Sequence, residues 1–178
     1  MSADVKMPRL LATAEEWSRL RAVEQFLARE AWLLDHWHLA TWLETLSPKI
    51  RYFAPTRHNA MSIADEPLGS AGHQAYFDDT FETLTLRVRR MQTGRAWSEE
   101  PRSRTRRFVS NIVLLDLDGD RMLVGSNLLM RREDAAENAR FLSAYREDLL
   151  VGGASGIKLE SRHILLDHLT VPPLTLIL

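Results

Sequence analysis

The stretch Arg106 to Leu117, RRFVSNIVLLDL, and the stretch Arg121 to Met130, RMLVGSNLLM, are separated only by Asp118-Gly119-Asp120. That tripeptide has tight-turn composition, so the two runs read as the arms of a β-hairpin. Apolar residues fall on both faces: Phe108, Ile112 and Leu114 alternate one way, Val109, Val113 and Leu115 the other. An antiparallel sheet with one wet face alternates polar with apolar residues instead. The hairpin therefore has to be covered twice. The chain's own helices supply one cover, and a curled sheet's interior or another chain supplies the second.

Helices to do this are visible upstream. Thr13 and Glu16 form a Thr-x-x-Glu capping box, and Trp17, Leu20, Leu27, Ala31 and Leu34 follow at helical steps. A second helix is expected from about His38 to Leu46, ending at Ser47-Pro48. Trp17, Trp32, Trp37 and Trp42 lie in these segments, where packing against a sheet is the expected use and ligand stacking the alternative. IRYFAP, Ile50 to Pro55, reads as a strand. DDTFETLTLRVRRM fits a strand or a helix; its spacing, an Asp79-x-x-Glu82 cap and Gly94 as a stop favour the helix. IKLESRHILLD is a further strand, Met122 and Met130 are core filler, and the closing LTLIL is apolar enough to finish the sheet.

At 178 residues the chain is sized for one domain, 1–178. Residues 1–12 read as a flexible arm, and 56–74 as a long loop that is either a docking arm or disordered. The net charge is −1 and there is no cysteine. Thiolate zinc and iron–sulfur ligation by this chain are thereby excluded, and a reducing, cytoplasmic location fits. No run approaches the roughly 20 apolar residues that span a bilayer, so no membrane association is expected.

Ahead of the hairpin, Trp97 to Ile112, WSEEPRSRTRRFVSNI, concentrates charge. On an extended chain Arg102, Arg104 and Arg106 share one side, and Ser103, Thr105 and Arg107 the other. Guanidinium groups make forked bonds to carboxylates and keep their proton, which suits ion-pair networks at subunit boundaries. Candidate partners are Glu99, Glu100, Asp167 and the Glu147–Asp148 pair; a solvated basic turn is the plainer reading. Nucleic-acid binding is disfavoured by the near-neutral charge and the lack of a recognition motif.

This block resembles the Trp-x-Glu-Asp-Pro-x-Ser-Arg-Thr-Arg-x-x-x-Ser-Asn signature of the small (beta) subunits of aromatic-ring-hydroxylating dioxygenases. EAWLLDHWHLATWLETL is similar to that family's Glu-Ala-x-Leu-Leu-Asp opening and the helix after it, IRYFAPTR to its first strand, and YREDLL and SRHILLD to two later signatures. The likeness runs from about residue 20 to the end. Tyr145 and Ile157 depart from it, standing where the family has an arginine and often a tryptophan.

The resemblance implies an α+β fold of the nuclear transport factor two (cystatin-like) type: a cone-shaped, strongly curved antiparallel sheet with N-terminal helices. It implies a non-catalytic assembly subunit that associates as a trimer with a large alpha subunit in an alpha3beta3 hexamer. The Rieske [2Fe-2S] cluster and mononuclear iron then belong to the alpha chain, and no cofactor, metal or catalytic residue to this one. The structural or subunit-interface residues it points to are Trp97, Glu99, Pro101, Arg102, Ser103, Arg104, Arg106, Arg107, Asn111, Arg146, Asp148, Arg162 and Asp167.

The residues themselves agree on metals. Of His36, His38, His58, His73, His163 and His168, the best local set is HILLDH, where His163 and Asp167 share a strand face and His168 points away. The alternative function is a free-standing cone-fold isomerase or dehydratase acting on a small hydrophobic substrate. Asp35, Tyr52, His58 and Asp167 would be its acid–base candidates. Asp35 otherwise reads as a helix-end cap or an ion pair.

Overall fold

The computed structural model describes residues 7–56, 75–92, 103–133, 139–152, 156–168 and 177. Helix α1 (Ala14–Asp35) is followed by the short α2 (Leu39–Leu43), β1 (Leu46–Pro55), β2 (Ala75–Thr80) and α3 (Phe81–Gln92). Four long strands complete it: β3 (Arg104–Asp118), β4 (Arg121–Glu133), β5 (Ala139–Val151) and β6 (Lys158–Leu166). The six described strands form one sheet in the order β2-β1-β6-β5-β4-β3. The sheet is antiparallel, as expected, except where β1 runs parallel to β6. The three helices lie on one face of it, α1 against β3 and α3 against β1 and β2.

Local signals set these elements. Thr13 Oγ1 accepts from the Glu16 N–H while the Glu16 carboxylate accepts from the Thr13 N–H, closing the expected capping box. Thr13→Ala should therefore cost about 1 kcal/mol, read from a urea melt. An unchanged midpoint would mean that packing alone fixes the start of α1. The buried stripe of α1 is Val23, Leu27, Glu30 and Leu34. Trp17 and Trp32 face outward, 59% and 52% exposed, whereas Trp42 is fully buried. The expectation that all four tryptophans pack on the sheet is corrected to Trp42 and the half-buried Trp37. Trp32 instead stacks on His36 and His38 at 4.3 and 5.1 Å.

The second helix is shorter than expected, because β1 already begins at Leu46. Pro48 lies in the stretch of β1 between Leu46 and Arg51 where the register with β6 shifts, so its missing donor costs no ladder bond there. Helix α3 forms where expected, but its start is held by Thr80 and Thr83, whose hydroxyl accepts from the Thr80 N–H at 2.8 Å. Asp79, expected as the cap, pairs with Arg87 at 2.6 Å.

The hairpin turns at Gly119-Asp120 between paired Asp118 and Arg121, with Gly119 at φ +54°. Simple alternation along β3 is broken twice. The register with β4 shifts between Ser110 and Val113, where Asn111 has φ +51°, and again between Leu114 and Asp116. Leu114 and Leu115 consequently are both buried, whereas Phe108, ahead of both shifts, is exposed in step with Arg104 and Arg106. Across from Val113 stands Gly125, where a Cβ would sit 2.7 Å from the Tyr145 hydroxyl and 3.2 Å from Val113 Cγ2. Of the expected closing strand, only Ile177 is among the described residues; it is buried in the core.

Candidate functional site

Three adjacent strands present polar side chains in register to the interior of the fold. Tyr52 on β1 is opposite Arg162 on β6, which is opposite Asp148 on β5. Arg146, two residues before Asp148, shares its face. From the other side α1 lowers Glu30 out of its apolar stripe. Glu30, Arg146, Asp148 and Arg162 are each no more than 2% exposed.

Arg162 holds both carboxylates. Its Nε and Nη2 donate to Asp148 Oδ1 and Oδ2 at 2.7 Å each, while Nη1 and Nη2 donate to Glu30 Oε1 and Oε2 at 2.9 and 2.7 Å. Trp42 Nε1 donates to Glu30 Oε1 at 3.1 Å. Arg162 Nη1 reaches the Tyr52 hydroxyl at 3.5 Å, and Arg146 Nη1 lies 4.0 Å from Glu30 Oε2. Burial pushes the Glu30 carboxyl up, but Arg162 and Arg146 outweigh it and hold the group below its ordinary value. Burial raises the Tyr52 phenol. Burial also opposes the charge of Arg162, yet Asp148 and Glu30 carry it well above its ordinary value.

This chemistry is that of a lock. A general acid working near neutral pH needs a carboxyl shifted upward and free to meet substrate. Glu30 is shifted downward and both its oxygens are engaged. The apolar core of the fold includes Leu27, Trp42, Leu84, Leu150, Leu159 and Ile164, all buried.

A second ion pair ties the arginine block to α1. Along the start of β3, Ser103, Thr105 and Arg107 face inward and Arg104 and Arg106 outward. Asp35, at the last turn of α1, accepts from Thr105 Oγ1 at 3.0 Å and from the Arg107 N–H at 2.9 Å, and its Oδ1 also pairs with Arg107 Nη1. Of the two readings of Asp35, the ion pair is the one formed. Arg132 Nε donates to Ser103 Oγ at 3.1 Å. The expected partners differ: Asp148 belongs to Arg162, and Arg107 takes Asp35. Trp97, Glu99, Glu100, Pro101 and Arg102, like His58 and His73, lie outside the described residues, as do 57–74 of the long loop.

The opposite face of the sheet carries an exposed apolar patch among polar side chains. Phe108 on β3 and Leu129 on β4 are direct cross-strand partners, and Phe141 lies beyond them on β5. They are 54%, 42% and 57% exposed. Arg104 and Arg106 flank this patch on one side. On the other is a notch of about 290 Å³ whose lining includes Ser110, Asn127, Ser143, Tyr145 and Asp167. Asn111 sits at the β3 bulge beside it. Of the residues pointed to by the sequence, Arg146, Asp148 and Arg162 thus meet inside, Ser103 and Arg107 pin β3 to its neighbours, and Arg104, Arg106 and Asp167 lie on the outer face.

Residues 29–173 match the family described as the ring hydroxylating beta subunit. The chain belongs to that family. It is 31% identical over 155 residues to the beta subunit of biphenyl 2,3-dioxygenase from Rhodococcus jostii, spanning 84% of this chain and 82% of that one. Its fold matches a chain of naphthalene 1,2-dioxygenase with a TM-score of 0.77 at 21% identity, over 94% of this chain and 96% of the other. A Novosphingobium aromaticivorans protein named as a scytalone dehydratase matches with a TM-score of 0.66 at 14% identity, over 88% and 89%. The beta-subunit family therefore shares its curved-sheet cone fold with dehydratase-type proteins. Membership favours the subunit reading over a free-standing isomerase or dehydratase, and the locked interior gives the chemical reason. Among the described residues, no group of three or more histidine, aspartate or glutamate side chains could hold a metal. No described helix is long and apolar enough to cross a membrane.

Sequence reasoning passed over Glu30. The signal was there twice: Glu30 interrupts the Val23–Leu27–Leu34 stripe of α1, and it opens the EAWLLD block whose last residue is Asp35.

Proposed function

We propose that this beta subunit is a cytoplasmic scaffold that carries no chemistry of its own and organises a large, iron-bearing alpha subunit. It self-associates as a trimer through the outer sheet face and assembles into an alpha3beta3 hexamer. The observation that carries this reading is the pairing of a chemically locked interior with an exposed aromatic patch on the sheet. Contiguous exposed apolar surface of this kind marks a contact with another chain. The alpha subunit supplies the Rieske [2Fe-2S] cluster and the mononuclear iron, and the whole enzyme adds dioxygen to an aromatic ring in the breakdown of aromatic compounds.

Arg104 and Arg106 point away from their own protomer and make no ion pair with other described residues, so they serve the boundary between chains. Arg104→Ala/Arg106→Ala should leave the melting temperature within about 2 °C and lower the amount of alpha subunit retained on a tagged beta chain several-fold. Full retention of the alpha subunit by the double variant would remove these arginines from the interface. Co-expression with the alpha subunit tests the wider reading: ring-dependent oxygen uptake should require both chains, and substitutions inside this one should alter it only through assembly.

A further inference from the structure

The end of α1, the start of α2, the last turn of α3 and the first residues of β3 enclose a small space. Leu34, Trp37, Leu39 and Met91 make apolar walls, and Thr105 and Arg107 add the polar part. Ile177 closes the remaining side, so that the seven residues leave only about 10 Å³ between them, and it is itself 3% exposed. The Arg107 guanidinium is buried here, its side chain 3% exposed. Its Nη1 serves Asp35 and its Nη2 donates to the Ile177 carbonyl, while Nε has no hydrogen-bond partner.

Ile177 is held as a ligand would be, with an apolar body in an apolar slot and one oxygen on a buried donor. Small-molecule sites are built in this way. The donor is not used to capacity. Nε and Nη2 form one forked edge of a guanidinium, the edge that fits both oxygens of a carboxylate. A backbone carbonyl satisfies only one of the two. The same chain shows that a buried arginine here tolerates two carboxylates at once, since Arg162 holds Glu30 and Asp148 through separate edges.

We propose that this space is a binding pocket for a small apolar carboxylate, closed by the chain's own Ile177, which competes with the ligand for Arg107. Arg107 recognises the carboxylate through Nε and Nη2. Leu34, Trp37, Leu39 and Met91 take a branched aliphatic body no larger than an isoleucine side chain. The pocket is independent of the Glu30–Arg162–Asp148 lock and of the outer face.

The test uses the full-length chain with Ile177→Gly, which weakens the internal competitor, and 3-methylpentanoate, which is isoleucine without its amino group. Calorimetry should show saturable binding about tenfold tighter to the variant than to the parent, because the competitor occupies the site less. The corresponding alcohol, 3-methylpentan-1-ol, should bind about tenfold more weakly than the acid. Equal binding to variant and parent, no binding to a cooperatively melting variant, or equal binding of acid and alcohol would each overturn the proposal. Should the glycine variant not melt cooperatively, Ile177→Val under xenon pressure takes its place. Xenon among Leu34, Trp37, Leu39 and Met91 in the valine variant but not in the parent is expected, and its absence from both rejects the pocket.

Discussion

Arg162→Leu should cost this chain about 3–5 kcal/mol of stability, a large share of the roughly 5–15 kcal/mol that a domain of this kind possesses. The loss comes less from the leucine than from what it leaves behind. Asp148 and Glu30 remain fully buried with only Arg146 to balance them, and it approaches Glu30 no closer than 4.0 Å. Urea unfolding measures it directly. Replacing the set together, as Glu30→Leu, Arg146→Met, Asp148→Leu and Arg162→Met, should recover most of the loss, because a buried ion network is often no more stable than well-packed apolar residues of similar volume. If the single variant loses less than about 1 kcal/mol, the lock does not hold α1 to the sheet.

The same network sets a pH dependence. The Glu30 carboxyl lies below its ordinary value in the fold and returns to that value, about 4.5, on unfolding. A depressed carboxyl contributes stability that is complete above the ordinary value and is lost as pH falls through the folded one. Unfolding free energy should therefore decline on acidification below the ordinary glutamate range. Glu30→Gln should flatten that decline, and a parallel slope in parent and variant would assign it to other carboxylates.

What could be read in advance followed from how local each signal is. The capping box, the Gly119-Asp120 turn, the body of α3 and the inward–outward alternation of Ser103 to Arg107 depend on neighbours a few residues away, and these formed as read, although the cap expected for α3 at Asp79 did not. Strand β5 was missed for a definite reason. Its inward positions are Leu142, Ala144, Arg146, Asp148 and Leu150, so two charges break the apolar rhythm that marks a strand. Those charges are tolerated only because Arg162 and Glu30, close in space and distant in sequence, meet them. Strand β2 was hidden by its brevity and by Asp79, whose partner Arg87 lies on the next helix. The lock itself is made wholly of long-range contacts, so its members were legible as parts of family signatures while its geometry was not. The outward turn of Phe108 continues the series Arg104 and Arg106; what no alternation rule places is the pair of later bulges that brings Leu114, of the same parity, inward.

That outward turn leads to the prediction with the largest effect on assembly. If the proposed assembly uses this face, Phe108→Asp with Phe141→Asp should leave the chain a monomer at micromolar concentration where the parent is a trimer, as read by light scattering, and should abolish recovery of the alpha subunit. Both rings are more than half exposed in the lone protomer, so removing them should change the chain's own stability by less than about 0.5 kcal/mol each. In an assembly they become central apolar anchors, each worth about 2 kcal/mol when truncated. Together that is about 4 kcal/mol, roughly a thousandfold in dissociation constant, before the cost of burying two new carboxylates is added. Leu86, 61% exposed on α3 across the molecule from this face, supplies the control: Leu86→Asp should leave the oligomer intact. A double variant that stays trimeric and still retains the alpha subunit would move the interface away from the outer sheet face, and Phe108, Leu129 and Phe141 would then need another partner to cover them.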